Sequence, residues 1–242
     1  MIHLLLAAAA ASASPPASPL ITGERTRRPC PSLVTPDALI CRALEAHRRG
    51  ENAAAAEAFD EAAKASSAQD PKTARIYAAA GNLWIAGNQP GKAASDLDRA
   101  LALPGLEGQQ RGEALFDRAR AAEAQNDLVT ARAKLAEAGA TISQDPYYWY
   151  FSASLALREH DVATARTAID RALKLAPADP AVLFEAGHVA NASGDEQQAR
   201  NYWRRAVAGD PNGPVGRDAA KAIEMLGVPP TVKSQTEPQP RS

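Results

Sequence analysis

The sequence predicts an all-α protein assembled from repeated helical units. Segments that begin at Gly112, Pro146 and Pro180 follow one another at intervals of 34 residues. Two earlier copies, which begin at Pro36 and Ala74, fit the same template when four extra residues are allowed after each. Self-similarity at a fixed period of this length is typical of repeat architectures, in which each unit buries its apolar face against its neighbours. The period is the first of three observations that predict this fold class.

The second observation is a set of side chains of constant size at fixed places in the five copies. Alanine fills positions 20 and 27 of every copy, and alanine or glycine fills position 8. Small side chains let two helix backbones approach closely, while larger ones fill the space that remains. Position 8 holds Ala43, Gly81, Ala119, Ala153 and Gly187; position 4 holds the bulkier Leu39, Tyr77, Leu115, Trp149 and Leu183; and position 24 holds Phe59, Leu97, Leu135, Ile169 and Trp203.

The third observation is a set of helix boundary signals. Thr35, Asp70, Asp145 and Asp179 each precede a proline, as expected of an N-cap followed by proline at the first helical position. Glycine or asparagine stands where the first helix of a copy should turn into the second, at Gly50, Gly87, Asn126 and Gly194. These boundaries predict helices over about 37–48, 52–66, 71–86, 90–103, 108–125, 128–140, 147–159, 162–175, 181–192 and 196–208, with a further helix over about 215–226.

The repeat resembles the tetratricopeptide repeat family, whose unit is a pair of antiparallel helices, A and B. The resemblance spans about residues 36–213, and it implies an all-α, right-handed superhelical solenoid of about five antiparallel helix pairs plus a C-terminal capping helix. Family members usually have large residues at positions 7 and 11, where this chain has mainly alanine and arginine. We therefore expect a thin core with closely packed repeats. The copy that follows the family pattern best carries Leu183, Ala186, Gly187, Ala190, Gly194, Ala199, Trp203, Ala206 and Pro211.

The two ends differ in composition from the repeats. An apolar run followed by Ala11-Ser12-Ala13 predicts a cleavable signal peptide over residues 1–13, and hence a periplasmic or secreted bacterial protein. The run is too short to span a bilayer. Because no basic residue precedes it, a disordered alanine-rich leader or a mis-assigned start is the alternative. Residues 14–35 predict a Pro/Ser-rich linker, 36–226 the repeat domain, and 227–242 a disordered tail.

Both cysteines of the chain lie near the first repeat. If the protein is exported, Cys30 and Cys41 are expected to form a disulfide that joins the linker to the first helix. The alternative is that Cys41 is a buried small hydrophobic residue and Cys30 carries a free thiol.

No pattern in the sequence indicates catalysis. A glycine-rich phosphate loop, a nucleophile elbow and a His-Glu-x-x-His zinc motif are all missing from it. The four histidines have no cysteine or carboxylate partner at the spacing of metal ligands. A formal net charge of −1 gives no electrostatic preference for nucleic acid or anionic membranes. We therefore expect no enzyme activity, metal, cofactor, nucleic-acid partner or membrane span.

The resemblance also implies where a partner would bind. In the family, helix A lines the concave face, and its positions 2, 5, 9 and 12 point into a groove. Four of the twelve aromatic residues of this chain fall on such positions, and adjacent arginines add hydrogen-bond donors. The alternative is that Tyr150 belongs to the core with Trp149 and that Tyr147 packs on the preceding helix. The candidate groove residues are Asn82, Phe116, Arg120, Tyr147, Tyr150, Arg158, Phe184, His188 and Asn191.

These observations predict a non-catalytic scaffold or adaptor that holds a segment of another protein or a peptide in its groove. Family members that clamp a terminal carboxylate use lysine at position 5 and asparagine at position 9. Only Asn82 matches that pair here, so such a clamp is not expected. Two alternatives stay open: a homo-oligomer that assembles through its alanine-rich faces, and an accessory subunit of an envelope assembly or enzyme complex.

Overall fold

The computed structural model describes residues 29–226. Within that range the chain forms eleven α-helices and no β-strand, which confirms the predicted all-α fold. The signal peptide predicted over 1–13, most of the linker over 14–35 and the tail over 227–242 lie outside the described residues. The helices are α1 (Pro36–Arg48), α2 (Asn52–Lys64), α3 (Pro71–Ala86), α4 (Pro90–Ala102), α5 (Gly108–Ala124), α6 (Leu128–Ile142), α7 (Pro146–Arg158), α8 (Val162–Leu175), α9 (Pro180–Ala192), α10 (Glu196–Gly209) and α11 (Pro214–Met225).

The A helices of the repeat are α1, α3, α5, α7 and α9, and each is followed by its B helix. Every helix packs against the next one in the chain, and the A helices also meet in the pairs α3–α5 and α7–α9. The last helix, α11, contacts α9 and α10, as expected of a cap. This order of contacts is that of stacked helical hairpins.

Four predicted caps start A helices as expected. Proline opens α1, α3, α7 and α9, and the residue before it accepts a hydrogen bond from a backbone N–H of the first turn. Three B helices have caps that the sequence analysis did not single out. These caps are Asp127, Asp161 and Asp195, which begin α6, α8 and α10. Because each cap satisfies an N–H group that the helix leaves unpaired, it fixes where the helix begins.

The small residues at position 8 are where helix A and helix B touch. The three alanines at this position, Ala43, Ala119 and Ala153, are fully buried. At Gly81 a Cβ would lie 2.4 Å from Cγ of Leu97, and at Gly187 it would lie 2.2 Å from Nε1 of Trp203. Each glycine therefore faces the bulky residue at position 24 of the same copy, in contact too close for any side chain.

Trp149 differs from its expected place in the core. It is half-buried, donates its indole N–H to the carbonyl of Ser143 at 2.8 Å, and lies 4.3 Å below the guanidinium of Arg171. Its neighbour Tyr148 is buried instead. The reason is that Gly139 on α6 has no side chain. A Cβ on Gly139 would lie 2.4 Å from the Tyr148 hydroxyl oxygen, so only glycine at this position leaves room for the ring.

Cys30 and Cys41 are both disulfide-bonded, and because the chain contains two cysteines, the bond joins them. A carboxylate oxygen of Glu45 lies within 4.8 Å of their sulfurs, but sulfurs in a disulfide are not thiolate metal ligands. The Arg42 side chain donates to the carbonyls of Pro31 at 2.7 Å and Leu33 at 3.0 Å.

Between residues 29 and 226, every helix is too short or too polar to cross a membrane.

Candidate partner-binding face

The predicted groove residues are carried by α3, α5, α7 and α9, and we call the surface they form the A-helix face. One polar contact on this face joins each A helix to the next from α3 onward. Asn82 donates to Asp117 at 2.8 Å, and the Tyr147 hydroxyl donates to Asp179 at 2.8 Å. The first contact joins α3 to α5, and the second joins α7 to the N-cap of α9. Between them, Arg158 on α7 donates to the Glu123 carboxylate on α5.

The two arginines expected to hold a partner's oxygens already have acidic partners in the chain. Arg120 pairs with Asp117 at 2.9 Å. Arg158 pairs with the Glu123 carboxylate and also donates to the Asn126 side chain at 2.8 Å. Arg158 therefore joins α7 to α5, while the Arg120 pair lies within α5.

The aromatic residues of the face are only partly covered. Phe116 and Tyr150 are half-buried, and Tyr147 keeps 46% of its surface exposed. The Phe116 ring lies edge-on to Phe151, with centroids 5.4 Å apart, and the Tyr147 and Tyr150 rings are edge-on at 6.3 Å. Half-buried rings held by their neighbours offer apolar surface without loss of side-chain freedom, as binding anchors do.

Tyr150 lies among charged groups from both neighbouring A helices. Burial raises the pKa of its hydroxyl; the Glu185 carboxylate raises this pKa next and Arg120 lowers it, while Asp179 and Glu123 raise it further. Its neighbours therefore belong to α5 as well as α9, and Tyr150 stays uncharged at neutral pH.

A pocket of about 440 Å³ opens between α7 and α9. It brings together Arg158, His188 and Asn191, three of the residues that the sequence predicted for the groove. It also contains Glu185, which the sequence analysis did not single out. The pocket is lined by Ser154, Leu157, Arg158, Glu185, His188, Asn191 and Ala192.

Glu185 is the chemically unusual member of this pocket. Its side chain is buried, with 6% of the residue exposed. Burial raises the pKa of its carboxyl to about 7, against a hydrogen bond from Ser154 that lowers it. His188 lies edge-on to Phe184 at 4.5 Å and to Trp203 at 5.3 Å, and burial lowers its pKa. At neutral pH the pocket thus holds a carboxyl near its midpoint of ionisation beside an uncharged imidazole.

The sequence analysis missed Glu185 because the groove positions came from the family pattern, which does not include position 6. A comparison of copies contains the signal: position 6 is acidic in two copies and apolar in three. An acid in an otherwise apolar column indicates a buried carboxylate that needs a partner. The column consists of Cys41, Ala79, Asp117, Phe151 and Glu185.

No protein-family model matches the sequence, and neither does any curated protein. Solved structures do match the fold. The structure of PilW, described as a widely conserved type IV pilus biogenesis factor, is 20% identical with a TM-score of 0.62, over 76% of this chain and 81% of that one. YrrB, described as a tetratricopeptide-repeat protein with an unusual peptide-binding site, is 17% identical with a TM-score of 0.55, over 76% and 91%.

A tetratricopeptide repeat protein from Parabacteroides merdae is 15% identical with a TM-score of 0.59, over 78% of this chain and 71% of that one. At such identities the likeness shows the fold alone. It confirms that the chain folds into stacked helical hairpins like those of these tetratricopeptide-repeat structures.

Proposed function

We propose that residues 36–226 form a non-catalytic interaction module that holds a segment of a partner protein on the A-helix face. The observation that carries this proposal is the set of half-buried rings on three successive A helices: Phe116 on α5, Tyr150 on α7 and Phe184 on α9. Their packing against fixed neighbours gives rigid apolar anchors, and the pocket beside them supplies polar groups. Such a pairing is typical of surfaces that recognise peptide segments.

The peptide-binding site named for YrrB supports this proposal as an analogy of fold. The three cross-helix contacts support it from the chain itself, because they hold the A helices in register before a partner arrives. A preformed face binds at a lower entropic cost than one that must be ordered on binding.

We also propose that the protein works outside the cytoplasm, in the bacterial envelope or beyond it. The disulfide supports this location, because disulfides persist in oxidising compartments. The apolar leader with its small-residue cleavage pattern supports it independently. The proposal predicts that the leader is removed after about Ala13, and N-terminal sequencing of the native protein that finds the leader still attached would contradict it.

Changing Tyr150 and Phe184 together to alanine is expected to weaken partner capture from the native compartment by tenfold or more. Each truncation removes an aromatic anchor, and anchors of this kind contribute about 2 kcal/mol or more. The measurement is a quantitative pull-down with the wild-type and variant proteins. Far-UV circular dichroism should show the same helicity for both, because neither ring is fully buried.

The matched control is Val129→Ala on α6, since Val129 is apolar and 83% exposed but lies away from the A-helix face. It should capture the partner as well as wild type does. Equal capture by all three proteins would rule out the proposed face. Light scattering after size exclusion distinguishes the self-assembly alternative, in which the wild-type protein would form oligomers in the absence of any partner, whereas an interaction module should be a monomer.

A further inference from the structure

Burial raises the pKa of the carboxyl groups of Asp96, Asp117 and Glu185, and the first two have an arginine partner one helical turn later. Asp96 is 3% exposed and pairs with Arg99 at 3.3 Å. Asp117, whose side chain is 13% exposed, pairs with Arg120 at 2.9 Å. The third is Glu185. A buried carboxylate is costly without a counter-ion, so these i, i+3 pairs show how this fold supplies one.

Glu185 has His188 where the other two have arginine. Burial between aromatic rings keeps His188 uncharged, because it lowers the imidazole pKa below its ordinary value. Arg158 lines the same pocket, but its guanidinium is paired with Glu123. Within the described residues, two effects thus act on the pKa of the Glu185 carboxyl: burial raises it, and the hydrogen bond from the Ser154 hydroxyl lowers it.

We propose that the pocket between α7 and α9 binds a lysine or arginine side chain of the partner segment, with the Glu185 carboxylate as its counter-ion. This proposal rests on the proposed function and names the partner chemistry for that same face. The residues that line the pocket suit such a side chain. Leu157 and Ala192 offer apolar surface for the methylene stem, while Ser154 and Asn191 offer oxygens for the remaining N–H groups.

Binding should strengthen as pH rises through about 7, since the cation pairs with the ionised carboxylate. If only that form binds, the apparent affinity scales with its population, which predicts about a tenfold gain from about pH 6 to about pH 8. The neighbouring titratable and charged groups lie on α5, α7 and α9. On α7 burial raises the pKa of Tyr150, so its hydroxyl does not titrate in this range. On α9 burial lowers the pKa of His188, and the variant Glu185→Gln keeps this imidazole, so a pH dependence lost in that variant belongs to Glu185. On α5, Arg120 and Glu123 are engaged in ion pairs.

The test uses an array of short peptides, acetylated and amidated at their ends so that no terminal charge titrates. We expect the bound peptides to share one lysine or arginine. For the tightest, replacing that residue with glutamine should weaken binding by at least tenfold, and the protein variant Glu185→Gln should do the same. Because both changes remove one interaction, combining them should add little further loss. Glu61→Gln on α2, which removes an exposed carboxylate, is the control and should bind as wild type does.

Each outcome of the peptide experiment either supports or overturns the proposed cation site. A shared basic residue, a non-additive cycle and a pH dependence that Glu185→Gln abolishes support the proposal. Peptides that lack a common basic residue, or that bind Glu185→Gln as tightly as wild type while Tyr150→Ala and Phe184→Ala weaken them, overturn the cation site but leave the proposed function intact. If no peptide binds the wild-type protein, both fail. A dimer that dissociates on Glu185→Gln would show that a second copy is the occupant, which also overturns the proposal.

Discussion

Trp203→Ala is expected to lower the free energy of unfolding by about 3–5 kcal/mol, the range found for fully buried tryptophan or phenylalanine truncations. Trp203 is 2% exposed, and its indole N–H donates to the carbonyl of Phe184 at 3.0 Å. Its ring fills the space over Gly187 and joins α10 to α9. Truncation leaves a cavity and removes a hydrogen bond between α10 and α9. Urea unfolding followed by circular dichroism at the helical band measures the loss.

Adding a methyl group at Gly187 tests the same contact from α9. Gly187→Ala should cost about 1–3 kcal/mol in the wild-type protein, because the new methyl group would overlap the indole. In a Trp203→Ala background the same alanine should cost much less, since the truncated side chain leaves room for the methyl group. Equal costs in the two backgrounds would show that glycine at position 8 is not matched to the residue at position 24.

Glu185→Gln is expected to stabilise the protein above about pH 7 by up to about 3 kcal/mol and to leave its stability unchanged near about pH 4. The carboxyl has a folded-state pKa of about 7, raised from 4.5. The folded state therefore binds this proton more tightly than the unfolded state does. The contribution of this group to stability is present below the unfolded pKa and is lost as pH rises through about 7. Glutamine carries no charge, so the variant escapes that loss.

The measurement is the free energy of unfolding of the wild type and the variant at several pH values. Taking the difference between them isolates Glu185, because His188, whose pKa burial lowers, is present in both proteins. Glu61→Gln serves again as the control and should show a flat difference. A variant less stable than the wild type at about pH 8 would mean that the carboxylate is already compensated within the chain.

The helical architecture could be predicted from the sequence because packing constraints repeat. Only alanine or glycine lets the two helices of a hairpin meet, so position 8 is small in every copy, and Trp203 stands opposite a glycine for the same reason. Proline after Asp145 or Asp179 marks a helix start through local chemistry alone. Signals of this kind need no knowledge of distant residues.

The details of the site depend on contacts that the repeat does not encode. Tyr148 rather than Trp149 is buried because Gly139, on the preceding helix, has no side chain. The raised pKa of Glu185 comes from its burial, and the lowered pKa of His188 comes from its burial between the Phe184 and Trp203 rings. A position pattern taken from a family gives the direction of a side chain, but burial and charge pairing come from neighbours that are specific to this chain.

Site-specific photo-crosslinking in the native cell tests most directly whether the A-helix face holds a partner. A photoreactive amino acid would replace Asn191, which is exposed at the rim of the Glu185 pocket, or Val129, which is exposed on α6. The proposed function predicts a crosslinked partner from position 191 and none from position 129. A partner captured from position 129 but not from position 191 would place the binding surface elsewhere and contradict it.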